Sequence, residues 1–240
     1  MRLARATPAI LVTGALAGCA TTQQEATRLQ LNSARIRASQ VAVRVRRRNP
    51  DVRVSAVTLL RSGRRTAIVV RVRNLAERTS TDLPVSVGVT APHGLRRYLN
   101  DRAGIDYFDA HLSAIAPQAE LTWVFTSNAT VPARARPFAD VGIPTPGFSS
   151  ATRLPQITAQ LRPGSDARNI LRLTIRNDSS VPQYQLPVYA TVSGRRGFLA
   201  AGAATIAHLG TGASTSLEMT LLGSATKATP ALEVPPTIFG

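Results

Sequence analysis

Ile68-Val69-Val70-Arg71-Val72-Arg73-Asn74 and, 103 residues further on, Leu171-Arg172-Leu173-Thr174-Ile175-Arg176-Asn177 decide the fold of this 240-residue chain. In the first stretch Ile68, Val70 and Val72 alternate with Val69, Arg71 and Arg73; in the second, Leu171, Leu173 and Ile175 alternate with Arg172, Thr174 and Arg176. A period of two is that of a strand with one face on a core and one in water, so both stretches are expected to be half-buried strands. The same offset carries Leu83-Pro84-Val85 onto Leu186-Pro187-Val188 and Gly94 onto Gly197, without a gap. Upstream, Leu60-Arg61-Ser62-Gly63 answers Leu161-Arg162-Pro163-Gly164 at an offset of 101. Downstream, Leu121, Trp123 and Phe125 answer Leu217, Met219 and Leu221 at 96. A repeat of about 100 residues is too long for a solenoid and points to tandem whole domains.

Working outward, the next strands alternate as cleanly. Leu83, Val85, Val87 and Val89 turn inward in one copy, and Leu186, Val188, Ala190 and Val192 in the other. Turn residues separate the strands at Arg61 to Arg65, Ala91 to Gly94, Gly164 to Arg168 and Ser193 to Gly197, and no helix-period segment lies between them. Short strands at this spacing make an antiparallel sandwich rather than a parallel α/β sheet. The expected division is 51–148 and 149–240, with Pro144 to Ser150 as the linker. Val41, Val43 and Val45 alternate with Ala42, Arg44 and Arg46, as in a further strand. Residues 20–40 are polar, with Leu29 and Ile36 as sparse apolar marks, and are expected to be a spacer with at most a short helix.

The N-terminus carries an address. Arg2 and Arg5 precede a mostly apolar stretch from Ala6 to Ala15, and Leu16-Ala17-Gly18-Cys19 closes it with small residues before a cysteine. The stretch is far shorter than the roughly 20 residues that span a bilayer, so it is expected to be a secretory signal rather than a membrane helix. This layout resembles a bacterial lipoprotein precursor, whose four-residue lipobox ends in the cysteine that is acylated. The resemblance implies a signal peptide at 1–18, with Leu16, Ala17 and Gly18 as the lipobox, lipidation at Cys19, and a basic tether through residue 50. It also implies export and a lipid anchor in the cell envelope. Cys19 is the sole cysteine, which excludes an intrachain disulfide.

Each copy shows a strand ending in asparagine (Asn74, Asn177), a polar connection, a Leu-Pro-Val strand, a glycine turn and a closing alternating strand. Together these resemble bacterial immunoglobulin-like modules of the CARDB or FxLYD kind, over roughly residues 52–127 and 155–222. The resemblance implies an all-β chain of two tandem antiparallel immunoglobulin-like β-sandwiches after the signal and tether, with roles in adhesion, ligand holding or spacing. It supplies no catalytic residue and no cofactor.

A search for chemistry returns little. His93, His111 and His208 are scattered, and neither a nucleophile elbow nor a phosphate loop is present. Asp101, Asp106 and Asp109 fall close together but lack EF-hand spacing and read as solvated loop carboxylates. Trp123, in register with Leu121 and Phe125, is expected in the core. Charge is the other lead. Formal net charge is +16, and between Arg28 and Arg73 there are 13 arginines and one acid, Asp51. Arg44, Arg46, Arg47 and Arg48 beside a lipid anchor are therefore expected to meet an anionic lipid or wall polymer. Export takes most of the force from a nucleic-acid reading, and no such partner is expected. Two functions follow. One is a non-enzymatic, lipid-anchored envelope protein presenting two modules to an envelope partner. The other is an accessory ligand-binding subunit that holds a polyanionic glycan or a metal at the first module's loop around Asp101 to Phe108.

Overall fold

A computed structural model describes Gln24, residues 27–32, Ala34 and residues 43–102, 105–144, 153–163, 169–195, 197–224 and 229–238. Cys19 with its lipobox, and linker residues 145–150, lie outside the described residues. The chain is all-β. The first seven strands are β1 (Val52–Ser62), β2 (Arg65–Asn74), β3 (Ser80–Thr90), β4 (Arg96–Tyr98), β5 (His111–Ile115), β6 (Glu120–Ser127) and β7 (Arg136–Val141). They form a β1-β2-β6 sheet facing a second sheet in which β3 pairs with β4, β5 and β7. The next seven are β8 (Ile157–Leu161), β9 (Ile170–Asn177), β10 (Gln183–Gly194), β11 (Gly197–Leu209), β12 (Ser214–Thr220), β13 (Leu222–Gly223) and β14 (Ala231–Glu233). Here a β12-β9-β8 sheet faces a β13-β11-β10-β14 sheet. Every strand pair is antiparallel.

The repeat is visible in the hydrogen bonds. Asn74 is fully buried, and its Nδ2 donates to the carbonyls of Arg78, Ile115 and Ala116 while its Oδ1 accepts from Ala76 N and Ser80 Oγ. Asn177 is equally buried; its Nδ2 donates to Val181, Leu209 and Gly210, and its Oδ1 accepts from the amide and hydroxyl of Ser179. One side chain thus satisfies the turn after the strand and the far end of another strand, which is why asparagine closes both copies. Asp82 and Gln185, 103 residues apart, share a left-handed φ of 51° and kink β3 and β10 at the same place.

The register corrects two offsets. Val72 pairs with Leu121 and Ile175 with Thr215, so the closing strands correspond at 94 rather than 96. Val54 pairs with Val72 and Ala159 with Ile175, an offset of 105 that a bulge between Val54 and Ala56 reduces to 104, against the expected 101. The sequence spacing went wrong because bulges and turn lengths shift a strand without changing which side chains alternate inward. The fall from 103 to 94 leaves the first sandwich nine residues longer between Tyr98 and His111, where β11 of the second runs straight through.

The two sandwiches stack face to face. The β1-β2-β6 sheet turns its outer face onto the outer face of β10-β11, with Tyr189, Phe198, Ala201 and Ala203 packed into the first sandwich's core. Arg71 lies 5.2 Å from the Phe198 ring centre, and Thr122 N donates to Glu233 Oε2 at 2.9 Å. Val69 and Val124, opposite each other on this outer face, are buried. The expectation that β2 is half-buried therefore fails: a second sheet, contributed by a distant part of the chain, covers the face that alternation assigned to water. β9 does alternate, with Arg172 and Arg176 exposed.

Candidate functional site

The sequence placed function in the N-terminal segment, and the structure shows how that segment meets the first sandwich. Residues 43–45 form no strand, contrary to the alternation of Val41, Val43 and Val45. They run over the outer face of β3, where Val45 N donates to Ser86 Oγ at 2.7 Å and Ser86 Oγ to Val43 O at 3.3 Å. A bridge from Arg48 to Gly142 and the bond from Asn49 N to Val141 O then guide the chain into β1. The face is shaped for this crossing. Ser86 is small, and at Gly88 a side chain would run into Arg97 O and the Phe138 ring. Val45 lies just beyond Gly142, where a Cβ would come within 3.2 Å of it.

The four arginines expected to meet an anionic surface divide into two pairs. Arg44 bonds Asp101 and lies 4.6 Å over the Tyr98 ring. Arg48 reaches Asp140 at 2.6 Å, sharing that buried carboxylate with Arg96. Both therefore help to hold the strap, while their side chains stay 57% and 77% exposed. Arg46 and Arg47 are exposed, and among the described residues they make no ion pair. Spacing could not have separated the pairs, because the carboxylates they meet lie 57 and 92 residues away.

Further upstream, residues 27–32 are helical. Leu29 is buried against Phe108 and Tyr184, with Tyr107 packed beside them. The expected spacer is thus docked at the junction of the two sandwiches, with Leu29 buried there.

What it docks on is the nine-residue excess of the first sandwich. Asp106 caps a short 3₁₀ turn, Tyr107–Asp109, by accepting from Phe108 N at 3.0 Å. Asn100, fully buried, donates to Val85 O and Asp109 O and accepts from Val87 N. Trp123 is fully buried as expected, and its Nε1 donates to Phe108 O at 3.2 Å. Tyr107 donates to Asp82 at 2.6 Å and stacks on His111 at 4.0 Å between ring centres. His111 Nδ1 meets Tyr107 O at 3.1 Å.

Asp109 is not the solvated carboxylate the loop pattern suggested. Burial raises Asp109 to about 7, with Asp106 adding to the rise and Arg102 opposing it. Burial also raises Asp82, against the pull of His111 and Tyr107, and lowers His111. Glu233 is raised by burial while Thr122 N bonds its charged form. Tyr189, buried between the sandwiches, has a hydroxyl with no hydrogen-bond partner among the described residues. Among those residues no group of three or more histidine, cysteine or acidic side chains is placed to hold a metal, and no helix is long and apolar enough to cross a membrane.

The C-terminal segment ties the same junction from the other side. Ser113 Oγ in β5 donates to Pro235 O at 3.3 Å. Thr237 donates its amide to Gln183 Oε1 and its hydroxyl to Tyr184 O.

No known family matches the chain, and no curated protein does. Among solved structures it is similar to red sea bream transglutaminase, at 10% identity and a TM-score of 0.24. That alignment covers 80% of this chain and 32% of the transglutaminase, and a likeness so slight carries no argument about fold or chemistry.

Proposed function

We propose that the chain is a non-enzymatic lipoprotein of the bacterial cell envelope, anchored through Cys19, whose paired immunoglobulin-like sandwiches present a binding or spacing surface to another envelope component. The observation that carries this reading is the docking of the segment between anchor and body. Leu29 sits between Phe108 and Tyr184, and Arg44 and Arg48 strap residues 43–48 to the first sandwich. Ten residues separate Cys19 from Leu29, at most about 35 Å of extended chain. An acylated Cys19 would therefore hold the junction near the bilayer rather than let the body drift on a long leash. Two or three acyl chains bind firmly, where one alone is marginal.

The alternative, a ligand held by the loop around Asp101 to Phe108, has less support. Asp101 is taken by Arg44, Asp106 by the backbone of Phe108, and Tyr107 by Asp82. Replacing Cys19 with Ser and following palmitate label and membrane sedimentation tests the anchor. Wild type should take up label and stay with membranes washed at high salt, which screens any charge-based contact, and the variant should do neither. A variant that still acquires label and pellets overturns the proposal.

A further inference from the structure

The antiparallel registers bring three connections to one end of the first sandwich. These are the β1–β2 turn (residues 63–64), the β3–β4 turn (91–95) and the β6–β7 connection (128–135). Ser62 pairs with Arg65, Thr90 with both Arg96 and Arg136, and Thr66 with Ser127. The end is braced from within. Arg61 Nη2 donates to the carbonyls of Pro132 and Ala135 at 3.1 and 3.2 Å, and Arg97 Nη1 to Thr130 O at 3.1 Å. Both hairpin tips are thereby clamped to the connection that crosses between them.

Two properties of this end stand out together. Arg61, Arg64, Arg65, Arg96, Arg97, Arg134 and Arg136 lie in or beside the three connections, and residues 61–65, 91–97 and 128–136 contain no acid. The side chains of Arg64, Arg65, Arg134 and Arg136 are exposed and make no ion pair or hydrogen bond among the described residues. In their midst Leu95 is 74% exposed, more than any other large apolar side chain of the described residues. Its turn is tight, with Ala91 N bonded to Leu95 O and Gly94 N to Ala91 O, both at 2.9 Å, and Gly94 at a φ of 83°. The leucine is therefore held out by a fixed backbone.

We propose that this end of the first sandwich is a membrane-contacting tip, in which Leu95 enters the interface of a bilayer while the surrounding arginines meet anionic headgroups. Charge alone would suit any polyanion, since guanidinium groups pair with phosphates and carboxylates wherever they are carried. The exposed leucine decides between partners: a soluble polyanion gives an apolar side chain nothing, whereas the headgroup boundary takes up both an apolar side chain and the cations around it. This site is distinct from Arg46 and Arg47 on the strap, and it does not depend on acylation.

The chain from Ala20 onward contains every described residue and, because Cys19 is the sole cysteine, contains none. With it, flotation on vesicles of 30% phosphatidylglycerol in phosphatidylcholine should show binding that weakens from 20 to 300 mM NaCl, with no binding to pure phosphatidylcholine. Changing Arg64, Arg65, Arg134 and Arg136 together to Gln should weaken binding about ten-fold or more at low salt. Leu95→Ser should weaken it about five-fold while keeping the salt dependence. An environment-sensitive dye on Leu95→Cys should shift to the blue on the vesicles, and the same dye on Leu75→Cys, at the opposite end, should not. Melting curves check that each variant is folded. The proposal is overturned if the wild-type chain ignores the anionic vesicles, if the quadruple variant binds as wild type does, if the dye at Leu95 does not respond, or if the chain binds polyphosphate but not vesicles.

Discussion

Val69 and Arg172 occupy the same place in the two sandwiches, each in the central strand of a three-stranded sheet and each pointing away from its own core. Val69 is fully buried and Arg172 is exposed, its guanidinium paired at 2.9 Å with Glu218. The folding unit is the same and the neighbour differs. The second sandwich lays β10 and β11 over the first one's outer face, and nothing among the described residues lies over β9. The other sheets make the same point. The outer face of β3 is covered by the strap around Val45, while that of β10 is covered by β6. Head-to-tail stacking of two copies would leave one apolar face bare at each end; the strap closes one end, and a polar surface of Arg172, Arg176, Glu218 and Asp178 makes the other fit for water.

The deepest likeness between the halves is the buried asparagine, and breaking it should give the largest effect. Asn74→Ala and Asn177→Ala each strand three carbonyls and the groups that bonded Oδ1, and each should cost about 3–5 kcal/mol. Urea melts monitored at Trp123 would measure the first, and far-ultraviolet dichroism the second. If one substitution proves harmless, the two corners are not the same device.

The sharpest difference is tested by exchanging its residues. Val69→Arg buries an unpaired cation against Phe198 and Tyr189 and should destabilise the chain by about 2–4 kcal/mol. Protease should then cut between the sandwiches more readily, in the stretch near residue 148. Arg172→Val touches only the solvent face and should move stability by no more than about 0.5 kcal/mol. Equal effects of the two changes would mean that the stacked face contributes nothing.

A further difference concerns the nine residues the first sandwich has and the second lacks. Asp109 sits at about 7 when folded, against an ordinary aspartate value near 4. A raised carboxyl holds its proton in the folded chain after the unfolded chain has lost it. Its contribution to stability is therefore complete below about pH 4 and is lost as pH climbs toward 7. Asp109→Asn has no proton to lose, so it should match wild type at pH 4 and exceed it at pH 8, by roughly 2–4 °C in Tm for each 1 kcal/mol recovered. A variant less stable than wild type at pH 8 would show that the carboxylate charge is used rather than tolerated.

How much of this was legible beforehand depends on distance along the chain. The inward residues of β3 and β10, from Leu83 to Val89 and from Leu186 to Val192, were readable because a period of two is a property of neighbouring residues. The same holds for the all-β class and for the repeat itself, whose anchors Asn74 and Asn177 fall in register without a gap. The lipobox is local too, and the expectation it raises at Cys19 rests on sequence alone.

The faces that only another sheet covers were not legible. Val69 beside Arg71 and Arg73 looked like a solvent face, and no local pattern records that Phe198 lies across it. Arg44 and Arg48 looked the same as Arg46 and Arg47, because Asp101 and Asp140 are brought to the first pair only by folding. The sequence by itself determined which residues form strands and which side of each strand faces its own sandwich, since alternation and turn chemistry act within a few residues. Tertiary structure alone decided which outer faces are dry, which arginines are committed and where the exposed cations gather around Leu95. Those outcomes depend on contacts between segments tens of residues apart, whose free energy appears only once both surfaces exist.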